Sequence, residues 1–299
     1  MLSEELQKSA LLTLALFAAQ DQAPTLLELR QLLLRASERQ QQPGLRELRE
    51  VLEEDLADKV VSRCGLYCLR GFEKTMEARR EKYIYTSQLL KKARIWAAGL
   101  RHLPYVRAAA VSGSSAQMNA RKDSDIDLFI IAAPGRVFTA RFFVSAYFHL
   151  LGMRRYGKNI TSRFCLNHYV TDGTRLDTDH TVYTALLYTS FFTVFGERHV
   201  EDFWRKNLDW MKDYIIAPSL PSSQVFLNSK KERSPATIFF ELALFPFAAL
   251  LEKFLGFLQR HRIHQSEYVV VSESELAFHP DSKGQKILAR YREIVASLG

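Results

Sequence analysis

The chain has 299 residues, of which 47% are hydrophobic and 25% charged, which excludes a disordered or collagen-like protein. Its length predicts two or three domains, and 13 Gly with 9 Pro indicate few tight turns and long helices. The excess of 41 basic over 33 acidic residues gives a net charge of +8, which favours polyanionic partners such as nucleic acid or nucleotide phosphates.

The chain carries no pattern of a membrane or secreted protein. The most apolar stretch, 236–258, contains Glu241, Glu252 and Lys253, so it predicts a core helix and not a membrane span. The acidic start differs from a signal peptide, and three cysteines are too few for a disulfide framework. We therefore expect a cytoplasmic protein without membrane association.

Residues 1–71 predict a winged-helix-like domain. Apolar residues recur at helical spacing over 6–17, 26–33 and 45–56, and a β-branched stretch around Gly65 is typical of a hairpin. The third helix carries two arginines against five acids, however, so a duplex would repel it. We expect an interaction or packing module and not sequence-specific DNA binding.

Residues 72–105 predict a basic linker helix, with eight Lys or Arg and three Glu. Its aromatic residues are interleaved with the charges, so one interpretation is a stripe that touches RNA. The interpretation that we favour is a linker whose apolar residues pack on the next domain: Ile84, Leu89, Leu90 and Trp96.

Residues 106–180 contain the motif that carries chemistry. Two strand-like runs, VRAAAV and DIDLFII, flank a turn at Gly113 and a short helix predicted over 114–120. Side chains alternate along a strand, so Asp125 and Asp127 share one face. Two adjacent carboxylates need a cation between them, and hard oxygen ligands indicate Mg²⁺ or Mn²⁺.

The turn before this strand predicts a phosphate site. Gly113 permits close backbone approach, and the amides and hydroxyls of Ser114 and Ser115 suit phosphate oxygens. Arg121 and Lys122 lie beside the turn and could steady a triphosphate. Phosphate binding next to a divalent metal is what nucleotidyl transfer requires.

The motif Gly113-Ser114 followed by Asp125-Ile126-Asp127 resembles that of the DNA polymerase β-like nucleotidyltransferase superfamily. The resemblance covers some 30 residues. It implies a mixed sheet with flanking helices, and attack by an acceptor hydroxyl on the α-phosphate of an NTP. It also implies that Gly113 and Ser114 contact the triphosphate and that Asp125 and Asp127 are metal ligands. Gln117-Met118 departs from the Arg-Gly of many relatives.

The third carboxylate that the family usually has on a later strand is missing from the candidate strand, 162–171. Alternation predicts one face with Cys165, Asn167 and Tyr169, and places Phe164, Leu166, His168 and Val170 on the other. Three alternatives stay open: the amide of Asn167, no third ligand, or an acid from the following loop. The acids in question are Asp172, Asp177 and Asp179.

Other polar residues carry weaker signals. His168 could act as a base, but we expect it to be a structural histidine, and His279-Pro280-Asp281 is equally ambiguous. A polar trio before the candidate strand is either a nucleotide contact or a solvated loop: Lys158, Asn159 and Arg163.

Residues 181–299 predict a helical C-terminal region, with helices over 182–195, 200–214, 236–258 and 283–298. A short strand is predicted within 268–280. The fold class is therefore α+β, with the nucleotidyltransferase core extending to about residue 180.

The leading functional hypothesis is a Mg²⁺-dependent nucleotidyltransferase that moves an NMP from an NTP to an acceptor hydroxyl of RNA, a small molecule or a protein. The alternative is a catalytically degenerate, nucleotide-sensing regulatory protein that uses its N-terminal module for interactions. The missing third carboxylate and the acidic third helix motivate that alternative.

Overall fold

The structure is a computed structural model, which describes residues 2–177, 179–220, 235–263, 269–278 and 283–298. It has the expected α+β class, with a mixed six-stranded sheet, a separate two-stranded sheet and a C-terminal part that is mostly helical.

The N-terminal part consists of three helices and a hairpin, as the sequence predicts. Its elements are α1 (Leu2–Ala19), α2 (Leu26–Gln31), α3 (Leu45–Glu50) with a π-helical turn (Val51–Asp55), β1 (Val60–Arg63) and β2 (Leu66–Leu69). A capping box begins α2, because the Thr25 hydroxyl accepts from the Glu28 amide while the Glu28 carboxylate accepts from the Thr25 amide. Antiparallel β1 and β2 meet at Gly65, whose φ of +74° suits the turn.

The basic stretch forms α4 (Lys74–Trp96), followed by a 3₁₀ helix (Ala97–His102). Leu89 and Leu90 are buried against the large sheet, and Trp96 packs on the same core, which supports the linker interpretation. Ile84 is 51% exposed, so its predicted packing is wrong. This helix lies between the N-terminal part and the sheet and contacts both.

The large sheet has the strand order β6-β3-β4-β5-β8-β7. Its strands are β3 (Val106–Val111), β4 (Ile126–Ala132), β5 (Phe164–Thr171), β6 (Phe192–Phe195), β7 (Val269–Val271) and β8 (Glu275–Phe278). Only the β4–β5 pair is parallel, and the other four pairs are antiparallel. The parallel pair brings the start of β5 beside the start of β4.

Helices cover both faces of this sheet. The remaining helices are α5 (Gly113–Ala116), α6 (Val137–Leu150), α7 (Val182–Tyr188), α8 (Glu197–Met211), α9 (Pro235–Arg262) and α10 (Lys283–Leu298). Leu128 and Ile130 enter the core formed with α4, α6 and α9, while Phe129 and Ile131 enter the core formed with α7 and α8. The alternation predicted for β4 is thus realised.

The C-terminal region supplies strands as well as helices. The expected helix over 182–195 is wrong in its last part, because α7 ends at Tyr188 and Phe192–Phe195 pairs with β3 as β6. The strand predicted within 268–280 exists, and it forms the hairpin of β7 and β8 beside β5. The sheet therefore continues well past residue 180. The helix predicted over 114–120 is also shorter and ends at Ala116.

Helix α9 packs on the protein with one side only, whereas the sequence predicts a core helix. One side packs on α6, where the Glu252 carboxylate accepts from the amides of Phe138 and Thr139. The opposite side leaves large apolar residues exposed, among them Phe239 and Phe257 at 73% and 70%. Among the helices of the described ranges, each is too short or too polar to cross a bilayer.

The last helix packs on the first. Ile294 of α10 lies in the same core as Leu14 of α1, and Arg290 donates to the carboxylate of Asp21 just after α1. The two ends of the chain thus form one packing unit, although they are far apart in sequence.

Candidate functional site

Asp125 and Asp127 lie together at the start of β4, as alternation predicts. Cys165 of β5 joins them, and ligand atoms from all three residues lie within 4.8 Å of one another. Asp127 and Cys165 are partners in the parallel β4–β5 register, which accounts for this proximity. The carboxylates face the sheet side on which α7 and α8 pack.

Gly113 approaches Asp127 directly. It has a φ of +65°, and a Cβ atom built there would lie 3.2 Å from Asp127 Cγ and overlap Oδ2. The Ser112 amide also donates to the Asp127 carbonyl at 3.0 Å. Glycine is thus required here both for the backbone conformation and for the contact with the carboxylate.

A β-bulge in β5 changes the predicted faces of that strand. Asp127 pairs with Cys165 while Phe129 pairs with His168, so three residues of β5 span two of β4. Phe164, Leu166 and Tyr169 consequently join one core. The residues on the other side are Cys165, Asn167, His168 and Val170. The predicted faces of His168, Tyr169 and Val170 are therefore wrong: Tyr169 lies on the face of Phe164, and His168 and Val170 lie on the face of Asn167.

Asn167 of β5 contacts the carboxylate pair, on the face that alternation predicts. Its Nδ2 donates to Asp127 Oδ1 at 3.1 Å, while its Oδ1 is buried and has no hydrogen-bond partner among the described atoms. A buried carbonyl oxygen without a partner is costly unless a ligand satisfies it. Asn167 thus orients Asp127 and offers one more oxygen ligand.

Arg155 forms an ion pair with one of the two carboxylates. Its Nη1 donates to Asp125 Oδ2 at 2.7 Å and contacts Cys165 Sγ at 3.6 Å. Burial and the neighbouring carboxylates raise the pKa of the Cys165 thiol, which keeps it protonated and unsuited to a hard cation. The oxygens of Asp125, Asp127 and Asn167 fit Mg²⁺ or Mn²⁺, and the thiol does not.

Asp127 is in an electrostatically unfavourable position. Burial, followed by the charge of Asp125, raises the pKa of Asp127 to about 6, whereas Lys283 and Arg155 lower it. Tyr183 of α7 lies nearby, and burial together with the charges of Asp127 and Asp179 raises the pKa of its phenol. A cation bound here would relieve the repulsion between the two carboxylates.

The acids after β5 are not part of this cluster. Asp172 follows the far end of β5, about 16 Å along the strand from Asn167 at ~3.3 Å per residue, and its carboxylate pairs with His199 Nδ1 at 2.9 Å. Asp179 lies in the loop before α7, where its charge adds to the effect of burial in raising the pKa of the Tyr183 phenol, and Asp177 is exposed in the same loop. The structure thus brings only Asn167 to the pair.

Of the residues predicted to bind phosphate, the two serines lie in the turn, whereas the two basic residues form ion pairs with acids outside it. Ser114 is half-buried and Ser115 buried in the turn itself, with the Ser115 hydroxyl 3.4 Å from the Asp125 carbonyl. Arg121 instead pairs with Asp21 at 2.6 Å, and Lys122 pairs with Glu81 at 2.8 Å. Both basic side chains are thus held by ion pairs in this structure.

The N-terminal part forms hydrogen bonds with the loop that follows the Gly113 turn. Gln22 Nε2 donates to the Gln117 carbonyl, and Asn119 Nδ2 donates to the Gln20 carbonyl, both at 2.8 Å. Lys82 of α4 donates to Asn119 Oδ1 at 2.9 Å. These bonds tie the loop after Gly113 to the segment that follows α1.

The weaker candidates lie outside the carboxylate cluster. His168 is buried, bonds Glu275 at 3.1 Å and packs edge-on against Phe129, in agreement with a structural histidine. Lys158 and Asn159 are exposed, Arg163 is half-buried, and the Arg163 carbonyl accepts from the Ile126 amide. His279-Pro280-Asp281 lies outside the described residues.

Sequence reasoning missed three residues of the site. Arg155 lies three residues before Lys158 of the polar trio, Tyr183 is the second residue of a predicted helix, and Lys283 is the first residue of the last one. Neither motif nor spacing marks them, because they reach the carboxylates from three separate elements. The Gly-Ser and Asp-x-Asp motif includes only residues that lie close together in the sequence.

Comparison with known proteins gives no family for this chain. No protein-family model, no curated protein and no solved structure shows a significant match.

Proposed function

We propose that the chain is a Mg²⁺- or Mn²⁺-dependent nucleotidyltransferase that moves an NMP from an NTP to an acceptor hydroxyl and releases pyrophosphate. The observation that carries the proposal is the contact between the Gly113 turn and Asp127. A glycine turn packed against paired carboxylates is the arrangement that this chemistry uses, and residue 113 has to be glycine because its backbone and the Asp127 carboxylate lie this close. The resemblance of the Gly113-Ser114 and Asp125-Ile126-Asp127 motif to that of nucleotidyltransferases points to the same chemistry.

In this proposal Asp125, Asp127 and Asn167 hold the metal, which when bound neutralises the phosphate charge and lowers the pKa of the acceptor hydroxyl. Asn167 keeps Asp127 oriented by donating to Oδ1. The amides of the turn at Gly113, with Ser114 and Ser115, bind the triphosphate. Arg155 exchanges its bond to Asp125 for the phosphate or remains as a second cation beside it.

The N-terminal part is proposed to be a winged-helix-like interaction module. Its order of three helices and a hairpin supports this assignment, and its acidic third helix favours a protein partner over a DNA duplex. The acceptor is RNA, a small molecule or a protein hydroxyl, and the net charge of +8 favours a polyanion.

The test is transfer of label from each α-³²P-labelled NTP with Mg²⁺ or Mn²⁺, to total RNA and to lysate. Asp125→Asn and Asp127→Asn should abolish transfer, whereas Asp123→Asn, an exposed acid of the same segment, should keep it. Separation of RNA, protein and small-molecule products identifies the acceptor class. Transfer that survives both substitutions contradicts the proposal.

One observation favours the second candidate, a regulatory protein that binds nucleotide without turnover. The Arg155–Asp125 ion pair, 2.7 Å long, neutralises a carboxylate that a metal would otherwise bind, and Asn167 stands in place of a third acid. Nucleotide binding by equilibrium dialysis, without transfer under either metal, would support this function over catalysis.

A further inference from the structure

A second candidate site lies between α6 and the C-terminal end of α9. It is a cavity of about 510 Å³, a size within the range of small-molecule pockets. Its lining carries four basic side chains: Arg141, His149, Arg154 and Arg262. None of the described lining residues is acidic. The cavity therefore concentrates positive charge without a carboxylate to balance it.

The cavity is on the opposite side of the sheet from Asp125 and Asp127. Arg154 and Arg155 are consecutive, but Arg155 bonds Asp125 whereas Arg154 lines the cavity. The charges of Arg154 and Arg141 also act on the phenol of Tyr169, which belongs to the core on the α6 and α9 side. The two clusters are thus separate.

Arg141 is a buried cation in the lining of the cavity. Its Nη1 donates to Gln259 Oε1 at 2.7 Å, and its guanidinium lies 4.5 Å from the centre of the Phe278 ring. Its Nε is buried without a hydrogen-bond partner among the described atoms. Burial, and the like charge of Arg154, lower the pKa of Arg141. A buried cation next to another cation is costly unless an anion joins them.

We propose that this cavity binds a small phosphate-bearing ligand, with Arg141, Arg154 and Arg262 as its anion contacts. Guanidinium groups match phosphate geometry through paired N–H donors, and three of them line this one cavity. Phe142 and Ile263 give the cavity an apolar wall beside the charges. A ligand with a phosphate and an apolar or ring portion fits this lining.

The experiment is titration calorimetry of the full chain with inorganic pyrophosphate and, separately, with an NMP, both in EDTA at low salt. Arg154→Gln and Arg262→Gln should each weaken binding about tenfold, equivalent to ~1.4 kcal/mol. Lys253→Gln, which removes one charge from the exposed side of α9, is the matched control and should leave affinity unchanged. Tighter binding of the NMP than of pyrophosphate identifies a nucleotide as the source of the phosphate.

The proposal is independent of the metal site. Asp127→Asn should retain the binding measured in EDTA, so failure of transfer activity and failure of this site are distinguishable. An equal loss of binding affinity in Lys253→Gln and Arg154→Gln would show that binding depends only on the net charge of the protein, and it would overturn the proposal. Binding of a single-stranded oligonucleotide but of neither small probe would overturn it in favour of a nucleic-acid surface.

Discussion

A methyl group at Gly113 would overlap Oδ2 of Asp127, so the turn and the carboxylate can be neighbours only because residue 113 has no side chain. The turn follows β3 and the carboxylate lies on β4, which pair as antiparallel neighbours.

Gly113→Ala should abolish nucleotidyl transfer and lower stability. The variant has the conformational cost of a positive φ, about 1 kcal/mol, and must in addition displace Asp127. Gly135→Ala is the matched control, because Gly135 has a φ of +63° but its Cβ would meet no described atom within 4 Å. Thermal unfolding and transfer assays of both variants isolate the effect of the Asp127 contact. Equal losses in the two would show that only the backbone conformation matters.

Asp127→Asn should stabilise the metal-free protein while removing activity. Its raised folded-state pKa means that ionisation of Asp127 opposes folding, so stability falls as pH rises from about 4, the unfolded value, towards about 6. At pH 8 the neutral amide should therefore gain on the order of 2 kcal/mol over the carboxylate. Urea unfolding in EDTA at pH 8 and pH 4 measures this, and the gain should vanish at pH 4. Asp123→Asn controls for removal of an exposed charge.

Arg155→Gln should lower stability in EDTA by about 2 kcal/mol, because Asp125 loses a charged hydrogen bond in a half-buried position. Addition of Mn²⁺ should raise the melting temperature of this variant more than that of the parent chain. Differential scanning calorimetry with and without Mn²⁺ measures both effects. Arg154→Gln, whose side chain lies on the other side of the sheet, should show no enhanced response to Mn²⁺. An identical response in the two variants would argue against a cation site at Asp125.

Asn167→Ala should reduce transfer by about 10–100-fold, the usual effect of losing a group that orients a metal ligand. Asp172→Ala should leave transfer nearly unchanged, because its carboxylate pairs with His199 at the far end of β5. Steady-state kinetics with circular dichroism as a folding check compares the two. A larger loss in Asp172→Ala would restore the loop acid as the third ligand.

Local sequence signals predicted the parts of the site that neighbour one another in the chain. Alternation along β4 placed Asp125 and Asp127 on one face, because the two-residue period of a strand is fixed by its backbone. The glycine and serines before it marked the turn for the same local reason. The helices and hairpin of residues 1–71 and the packing of Leu89 and Leu90 also followed from apolar spacing.

The differences from the sequence-based prediction in β5 and β6 result from strand pairing. The bulge in β5 is a mismatch in register with β4, so it cannot be read from β5 alone, and it moved His168 to the face of Asn167. Residues 192–195 have the apolar pattern of a helix end but form β6, because β3 offers an edge with unpaired hydrogen-bonding groups.

The acidic pair, the glycine turn and most of the elements that carry them were predictable from short stretches of the chain, since they depend on backbone geometry over a few residues. The three-dimensional packing of separate elements places Arg155, Asn167 and Lys283 around the pair and keeps Asp172 away from it. Tertiary packing also places the side chains of Arg154 and Arg155 on opposite sides of the sheet. Charge interactions depend on distance in space, so they are established only when folding brings separate elements together.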